Sequence, residues 1–180
     1  MSGKSNMAVF LDRDGVIIDD VGYCSSPDDV QIIEGVAESL RKLRKAGFKL
    51  IVVTNQSGIA RGKFTVEEYY EIARHMEEGL AKEDARFDAV YFCPHHEEEG
   101  EAPYRVECKC RKPHPGMLKR AISEWALEPR KCWMAGDSPR DVEAAQHAHV
   151  KPIAIGFEHE DAPSYESLAK ATEHILERVQ

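Results

Sequence analysis

The stretch Ala8-Val9-Phe10-Leu11-Asp12-Arg13-Asp14-Gly15-Val16-Ile17-Ile18 brings an apolar run to two carboxylates and a glycine. A short apolar run that ends this way reads as a buried strand delivering its C-terminal end to a polar site. Alternation along a strand sends residues i and i+2 to the same side, and Gly15 permits the tight departure that keeps Asp12 and Asp14 near one point. Such a pair suits phosphoryl transfer. One carboxylate attacks phosphorus, while the other gives a proton to the leaving alcohol and later takes one from the hydrolytic water. Taken alone, the same four residues read equally well as an acidic turn closing a strand, so the rest of the chain decides between the two.

Outward from this stretch, further apolar runs occur at Leu50 to Val53, Val90 to Cys93, Cys132 to Ala135 and Ile153 to Ile155, separated by helical patterns. Short, partly β-branched runs alternating with helices predict an α/β fold: a Rossmann-like parallel sheet of about five strands. Val36, Ala37, Leu40 and Leu43 recur at helical spacing and stop at Gly47, a C-terminal cap. Thr65 and Glu68 form a capping-box pattern ahead of Tyr69, Ile72, Met76 and Leu80. Pro115 opens a helix with Leu118, Ile122 and Trp125 on its apolar face, Ser138-Pro139 starts another, and Ser164 to Val179 reads as a closing helix. Between Pro94 and His114 no periodicity appears, and loops of about 20 residues usually carry function or disorder.

The 180 residues, 42% of them apolar, suffice for one domain with a real core, spanning 1–180 with a flexible tail at 1–7. Lys and Arg total 24 against 32 acidic residues, a formal net charge of −8, and no basic stripe could neutralise a nucleic-acid backbone. No apolar run approaches the roughly 18 residues of a membrane span, and residues 1–6 lack the apolar core of a secretion signal. The expectation is a cytoplasmic monomer acting on a small molecule, with neither nucleic acid nor membrane as partner. Five cysteines, an odd number with three close together, fit thiols or metal ligands better than a disulfide framework.

In an open α/β sheet, ligands gather beyond the carboxyl ends of the strands. Three of these ends carry chemistry: Asp12 and Asp14; Thr54-Asn55-Gln56-Ser57-Gly58; and Gly136-Asp137-Ser138-Pro139-Arg140-Asp141. The second offers a hydroxyl, an amide and backbone N–H groups for phosphate oxygens, and the third adds carboxylates that complete a hard-cation site suited to Mg²⁺. Arg111-Lys112 supplies the positive charge that a phosphate dianion needs. Singly, Thr54 reads as a turn residue, Asp141 as a helix-dipole acid and Arg111-Lys112 as solvated surface; together they read as a site. Cys93, His95, Cys108 and Cys110 make a tetrahedral donor set for structural zinc, with His96 and His114 as rival ligands. Bound zinc in the loop 93–114 would pin the adjacent Arg111 and Lys112. Cys24 and Cys132 lie outside the set.

The Asp-x-Asp-Gly, strand-end Thr, Lys and Gly-Asp-x-x-x-Asp series, in this order, resembles the haloacid dehalogenase superfamily of phosphatases. The resemblance implies Asp12 as nucleophile, Asp14 as general acid/base, and Thr54 and Lys112 as phosphoryl-stabilising groups. It also implies Mg²⁺ held by Asp12, Asp137 and the backbone carbonyl of Asp14, with Asp141 nearby. The zinc loop, Asp19-Asp20-Val21-Gly22-Tyr23, residues 54–62 and residues 110–117 extend the resemblance, from Val9 to about Ile155, to the heptose 1,7-bisphosphate 7-phosphatase family. That family implies hydrolysis of a C7 phosphate on the route to nucleotide-activated heptose for lipopolysaccharide core or S-layer glycan. Substrate contacts then fall on Asp20, Val21, Gly22, Tyr23, Asn55, Gln56, Ser57, Arg111 and Ser138. The rivals are histidinol-phosphate phosphatase, whose family has a shorter interval after the zinc His, and a non-catalytic phosphate-sensing zinc module, against which the intact acids speak. No insertion is long enough for a large cap domain, so short loops, Gly22-Tyr23 and the zinc loop, are expected to supply selectivity at an open site.

Overall fold

Residues 6–179 are described by a computed structural model, and the apolar runs lie side by side in it as one parallel sheet. The strands are β1 (Ala8–Leu11), β2 (Lys49–Asn55), β3 (Ala89–Cys93), β4 (Trp133–Gly136), β5 (Lys151–Ile155) and β6 (Ser164–Tyr165), in the order β3-β2-β1-β4-β5-β6. Every pairing is parallel: Val9 stands opposite Leu50 on one side and Trp133 on the other. The order reverses between β1 and β4, which opens a crevice at the carboxyl ends of these strands.

The helices are α1 (Val36–Lys45), α2 (Val66–Ala81), α3 (Gly116–Glu124), α4 (Pro139–His147) and α5 (Leu168–Glu177). Alternation in the strands divides the core into two layers. Val9, Leu11, Leu50, Val52, Ala135 and Ile153 pack with Leu40 and Leu43 of α1, Ile72 and Met76 of α2, and Ile175 of α5. The intervening residues, Phe10, Ile51, Val53 and Met134, pack on the other side against Leu118 of α3 and Ala144 and Ala145 of α4. Burial on both faces is why these strands are almost unbroken in their apolar character.

The capping signals hold: Thr65 and Glu68 form a reciprocal capping box at α2, Ser138 and Asp141 form one at α4, and Gly47 takes φ +93 after α1. Two expectations need correction. The sheet has six strands, the sixth being only Ser164–Tyr165, too short for any periodicity to register. The closing helix accordingly starts at Leu168, where the Ser167 hydroxyl accepts from Lys170 N–H and sets its N-terminus. Of the tail expected at 1–7, residues 1–5 lie outside the described residues. Asn6 and Met7 are tied down through their carbonyls, which accept from Glu128 N–H and Lys49 N–H. Among the described residues, no helix is long and apolar enough to cross a membrane.

Candidate active site

Asp12 follows β1 directly, and its backbone N–H still bonds Ala135 O of β4 at 3.0 Å, so its side chain emerges at the reversal point of the sheet. Lys112 reaches the same point from the loop before α3 and is only 2% exposed. Its ammonium lies 2.9 Å from Asp12 Oδ2 and 2.6 Å from Asp141 Oδ1, and donates to Val53 O at 2.9 Å. All three of its donors are thereby used. Asn55, at the end of β2, holds the Lys112 backbone from both sides, donating to its carbonyl and accepting its N–H, each at 3.0 Å. The lysine is therefore built into the sheet end rather than left on a loop.

Carboxylate oxygens of Asp12, Asp137 and Asp141 lie within 4.8 Å of one another. Burial, then Asp141, outweigh Lys112 to push the Asp12 carboxyl up to about 7, and burial followed by Asp141 pushes Asp137 up to about 6. Burial by itself would lower the Lys112 ammonium, but Asp12 and Asp141 more than offset this and raise it. Three carboxylates facing one ammonium leave two negative charges uncompensated, which fits a divalent oxygen-seeking cation such as Mg²⁺. Gly15, at φ +73, makes the cluster possible: a Cβ there would fall 2.2 Å from Asp137 Oδ2.

The carboxylate of Asp14 is not part of that cluster. It is held in the fork of Arg13, whose Nη2 lies at 2.8 Å and Nε at 3.1 Å, and it accepts from Gln56 Nε2 at 3.0 Å. Gln56 in turn donates to the Thr54 hydroxyl at 2.8 Å. Thr54 is fully buried and is absent from the cleft lining, and Val21, half exposed, is absent too.

The cleft measures about 490 Å³ and is lined by Asp12, Asp14, Lys112 and Asp137 at its floor. Asp20, Gly22, Tyr23, Asn55, Gln56, Ser57, Arg111 and Ser138 complete much of its wall. Ser138 spends its hydroxyl on Asp141 Oδ2 at 3.0 Å, and Asp20 accepts from Gly22 N–H at 2.8 Å. Gly58, Arg61 and Arg140 also line the cleft. Gly58 and Arg140 sit inside the quoted strand-end motifs and Arg61 lies three residues beyond one, but an arginine within a turn or at a helix start reads as surface until the fold brings it to a wall.

Cys93, His95, Cys108 and Cys110 converge beside the cleft. Cys93 Sγ lies 3.6 Å from Cys108 Sγ and 3.2 Å from Cys110 Sγ, and His95 Nδ1 lies 3.6 Å from Cys93 Sγ and 3.3 Å from Cys110 Sγ. Zn–S bonds of about 2.3 Å and Zn–N bonds of about 2.0 Å give tetrahedral edges of about 3.8 and 3.5 Å, so the set fits zinc. The hydrogen bond between the Cys93 and Cys110 thiols lowers Cys110 to about 5 and raises Cys93, as one proton shared between them requires. The rivals are engaged elsewhere or stand apart. His96 Nε2 faces Arg61 at 3.0 Å and its Nδ1 accepts from Glu99 N–H, while His114 is outside the set. The loop folds back through a His96–Arg105 bridge, and Gly100 touches Ala60 so closely that a Cβ would fall 1.8 Å from Ala60 O.

A family model of the haloacid dehalogenase-like hydrolases matches residues 12–149. The chain is 44% identical over 146 residues to the D-glycero-beta-D-manno-heptose-1,7-bisphosphate 7-phosphatase of Haemophilus influenzae, covering 81% of this chain and 79% of that protein. Its counterpart in Escherichia coli K12 is 46% identical over 147 residues, covering 82% and 77%. Among solved structures, the D,D-heptose 1,7-bisphosphate phosphatase of B. bronchiseptica, complexed with magnesium and phosphate, superposes with a TM-score of 0.84 at 30% identity, over 96% of this chain and 99% of that one. The Burkholderia thailandensis enzyme of the same description gives 0.70 at 26% identity, over 95% and 98%.

Proposed function

The chain belongs to the haloacid dehalogenase-like hydrolases, and from that membership we propose that it is a phosphatase removing the C7 phosphate from D-glycero-D-manno-heptose 1,7-bisphosphate. The observation that carries the reading is the buried cluster in which Lys112 lies between Asp12 and Asp141 with Asp137 alongside. In this reading Asp12 attacks phosphorus, its bond to phosphorus forms as the bond to the C7 oxygen breaks, and Asp14 gives that oxygen its proton. Asp14 then takes a proton from water, whose oxygen attacks the aspartyl-phosphate and frees Asp12 and inorganic phosphate. Arg13 and Gln56 keep Asp14 on the cleft wall, and Thr54 acts on the site through Gln56. Lys112 offsets charge on Asp12 and on the transferring phosphoryl group. Asp12, Asp137 and the Asp14 backbone carbonyl would hold Mg²⁺, with Asp141 adjacent; bound there, the ion neutralises the carboxylates and draws charge from the phosphoryl oxygens.

Asp20, Gly22, Tyr23, Asn55, Gln56, Ser57, Arg111 and Ser138 form the substrate wall, with Val21 at its outer edge. Phosphate release from heptose bisphosphate and histidinol phosphate, measured side by side, tests the assignment. A large kcat/KM preference for the heptose is expected; preference for histidinol phosphate would overturn it, and turnover of neither would favour a phosphate-sensing module.

The Cys93, His95, Cys108, Cys110 set would hold Zn²⁺ as a structural ion. Its position matters because Cys110 precedes Arg111, whose Nη1 also faces His95 O at 3.4 Å. Stripping zinc and restoring Mg²⁺ is expected to cost about 10- to 100-fold in kcat/KM while the far-ultraviolet circular dichroism of the sheet and helices is retained. Full activity in stripped protein would show that the loop needs no pin.

A further inference from the structure

Tyr69 lies outside the cleft lining, yet it stands directly behind the group that holds Asp14. It belongs to α2, is 1% exposed, and its ring lies against Phe92 of β3 with centroids 4.2 Å apart. Ile59 and Phe64 complete the same small apolar cluster, so the ring has little freedom to move. The Arg13 guanidinium sits over that ring with Cζ 5.9 Å from the centroid, within reach of a cation–π attraction. Among the described residues, Asp14 is the one acceptor that the Arg13 side chain has, through Nε and Nη2. Arg13 Nη1 and Tyr69 Oη are both buried with no hydrogen-bond partner there. No second acceptor fixes the guanidinium, so the fork in front and the ring behind set its place. A guanidinium fork is planar, and its tilt decides where both Asp14 oxygens lie.

We propose that Tyr69 is a positioning residue for proton transfer: its ring face holds Arg13, and through Arg13 it holds the Asp14 carboxylate where the leaving oxygen takes its proton. The inference rests on the phosphatase reading above and extends it to a residue that touches no substrate. The oxygen of a sugar phosphate needs that proton to leave, whereas para-nitrophenolate leaves without one. A misplaced Asp14 therefore slows the first kind of substrate and spares the second, a split that a general loss of structure does not produce.

The test measures kcat/KM for heptose 1,7-bisphosphate and para-nitrophenyl phosphate in wild type, Tyr69→Phe and Tyr69→Met. Tyr69→Met is expected to lower the ratio of the first to the second about 10- to 100-fold, the scale of a displaced catalytic group. Tyr69→Phe keeps the ring and is expected to keep the wild-type ratio. Equal losses on both substrates, no loss in Tyr69→Met, or as large a loss in Tyr69→Phe would overturn the proposal. Tyr69→Leu takes the place of Tyr69→Met if the latter does not fold. A second readout needs no turnover. The Arg13 Nε–H, buried in the fork, is expected as a slowly exchanging proton–nitrogen resonance in wild type and Tyr69→Phe, and as a shifted, fast-exchanging one in Tyr69→Met. The same resonance in all three, or none protected in wild type, would also overturn the proposal. If the wild type hydrolyses the aryl phosphate but not the heptose, the heptose assignment fails by itself, and the ratio is taken with a sugar phosphate that it does turn over. If it hydrolyses no phosphate ester, the phosphatase reading fails, and the Nε–H resonance still decides whether Tyr69 holds the fork.

Discussion

Replacing Asp12 by Asn is expected to lower phosphate release by about 10⁴-fold or more, while the protein folds and melts close to the wild-type temperature. The two halves of that expectation have separate causes. An amide is a poor nucleophile, so the proposed covalent step loses the group that would make the new bond, and Asp137 and Asp141 come from beyond β4 and from the first turn of α4 rather than from β1. Stability responds to the cluster instead. Burial already pushes the Asp12 carboxyl up to about 7, against the pull of Lys112, so its ionised form is held at a cost. Asn keeps the shape and its carbonyl oxygen still accepts the Arg13 N–H that Asp12 Oδ1 receives at 2.7 Å; its NH2 then faces the Lys112 ammonium where Oδ2 stood at 2.9 Å, a lost contact that offsets the relief of removing one negative charge from the cluster. Phosphate release, thermal melting and the mass of acid-quenched protein check all three consequences. Substantial residual turnover, or a phosphate adduct trapped on the variant, would eliminate Asp12 as the nucleophile.

How far this site was legible depended on where each residue sits. Asp12, Lys112 and Asp137 were readable because each lies in a short motif beside a strand end or helix start, and the parallel sheet forces those ends together. Strand alternation explains less than it promised: it brings Asp14 near Asp12, but the fork of Arg13 takes up the Asp14 carboxylate, and Asp141 fills the place in the carboxylate cluster. A dipeptide neighbour was not read as a partner, because the sequence does not say that Arg13 is 2% exposed. The convergence of Cys93, His95, Cys108 and Cys110 was legible from side-chain chemistry alone, since three thiols and an imidazole in one aperiodic loop have few other uses. Arg140 was not. It shares the cleft wall with Arg111, which arrives from the loop before α3, and no local pattern joins them. The sixth strand escaped for a simpler reason: Ser164–Tyr165 gains its identity from pairing with Ala154 and Ile155 of β5 rather than from its own composition.

Lys112→Met is expected to damage both stability and catalysis, and the two losses should respond differently to Mg²⁺. The ammonium is buried and contacts Asp12, Asp141 and Val53 O. Removing one partner from a buried ionic cluster typically costs about 3–5 kcal/mol, which in a domain of this size lowers the melting temperature by about 6–20 °C. Methionine fills much of the stem's volume, so the loss is electrostatic: three carboxylates remain within 4.8 Å of one another with no cation among them. Mg²⁺ should therefore raise the melting temperature of the variant more than that of the wild type. A second change, Asp141→Asn, should also recover part of the loss, because it removes a charge that lysine had balanced. Catalysis should not recover in the same way. The lysine faces Asp12, the proposed nucleophile, and losing a positioned charge of this kind costs about 10²–10³ in kcat, with or without added Mg²⁺. Melting curves and kcat measured across a Mg²⁺ titration separate the two effects. A melting temperature close to wild type without the ion would mean that the lysine is not the charge holding this strand end together, and equal rescue of kcat would mean that its catalytic role is only to balance the carboxylates.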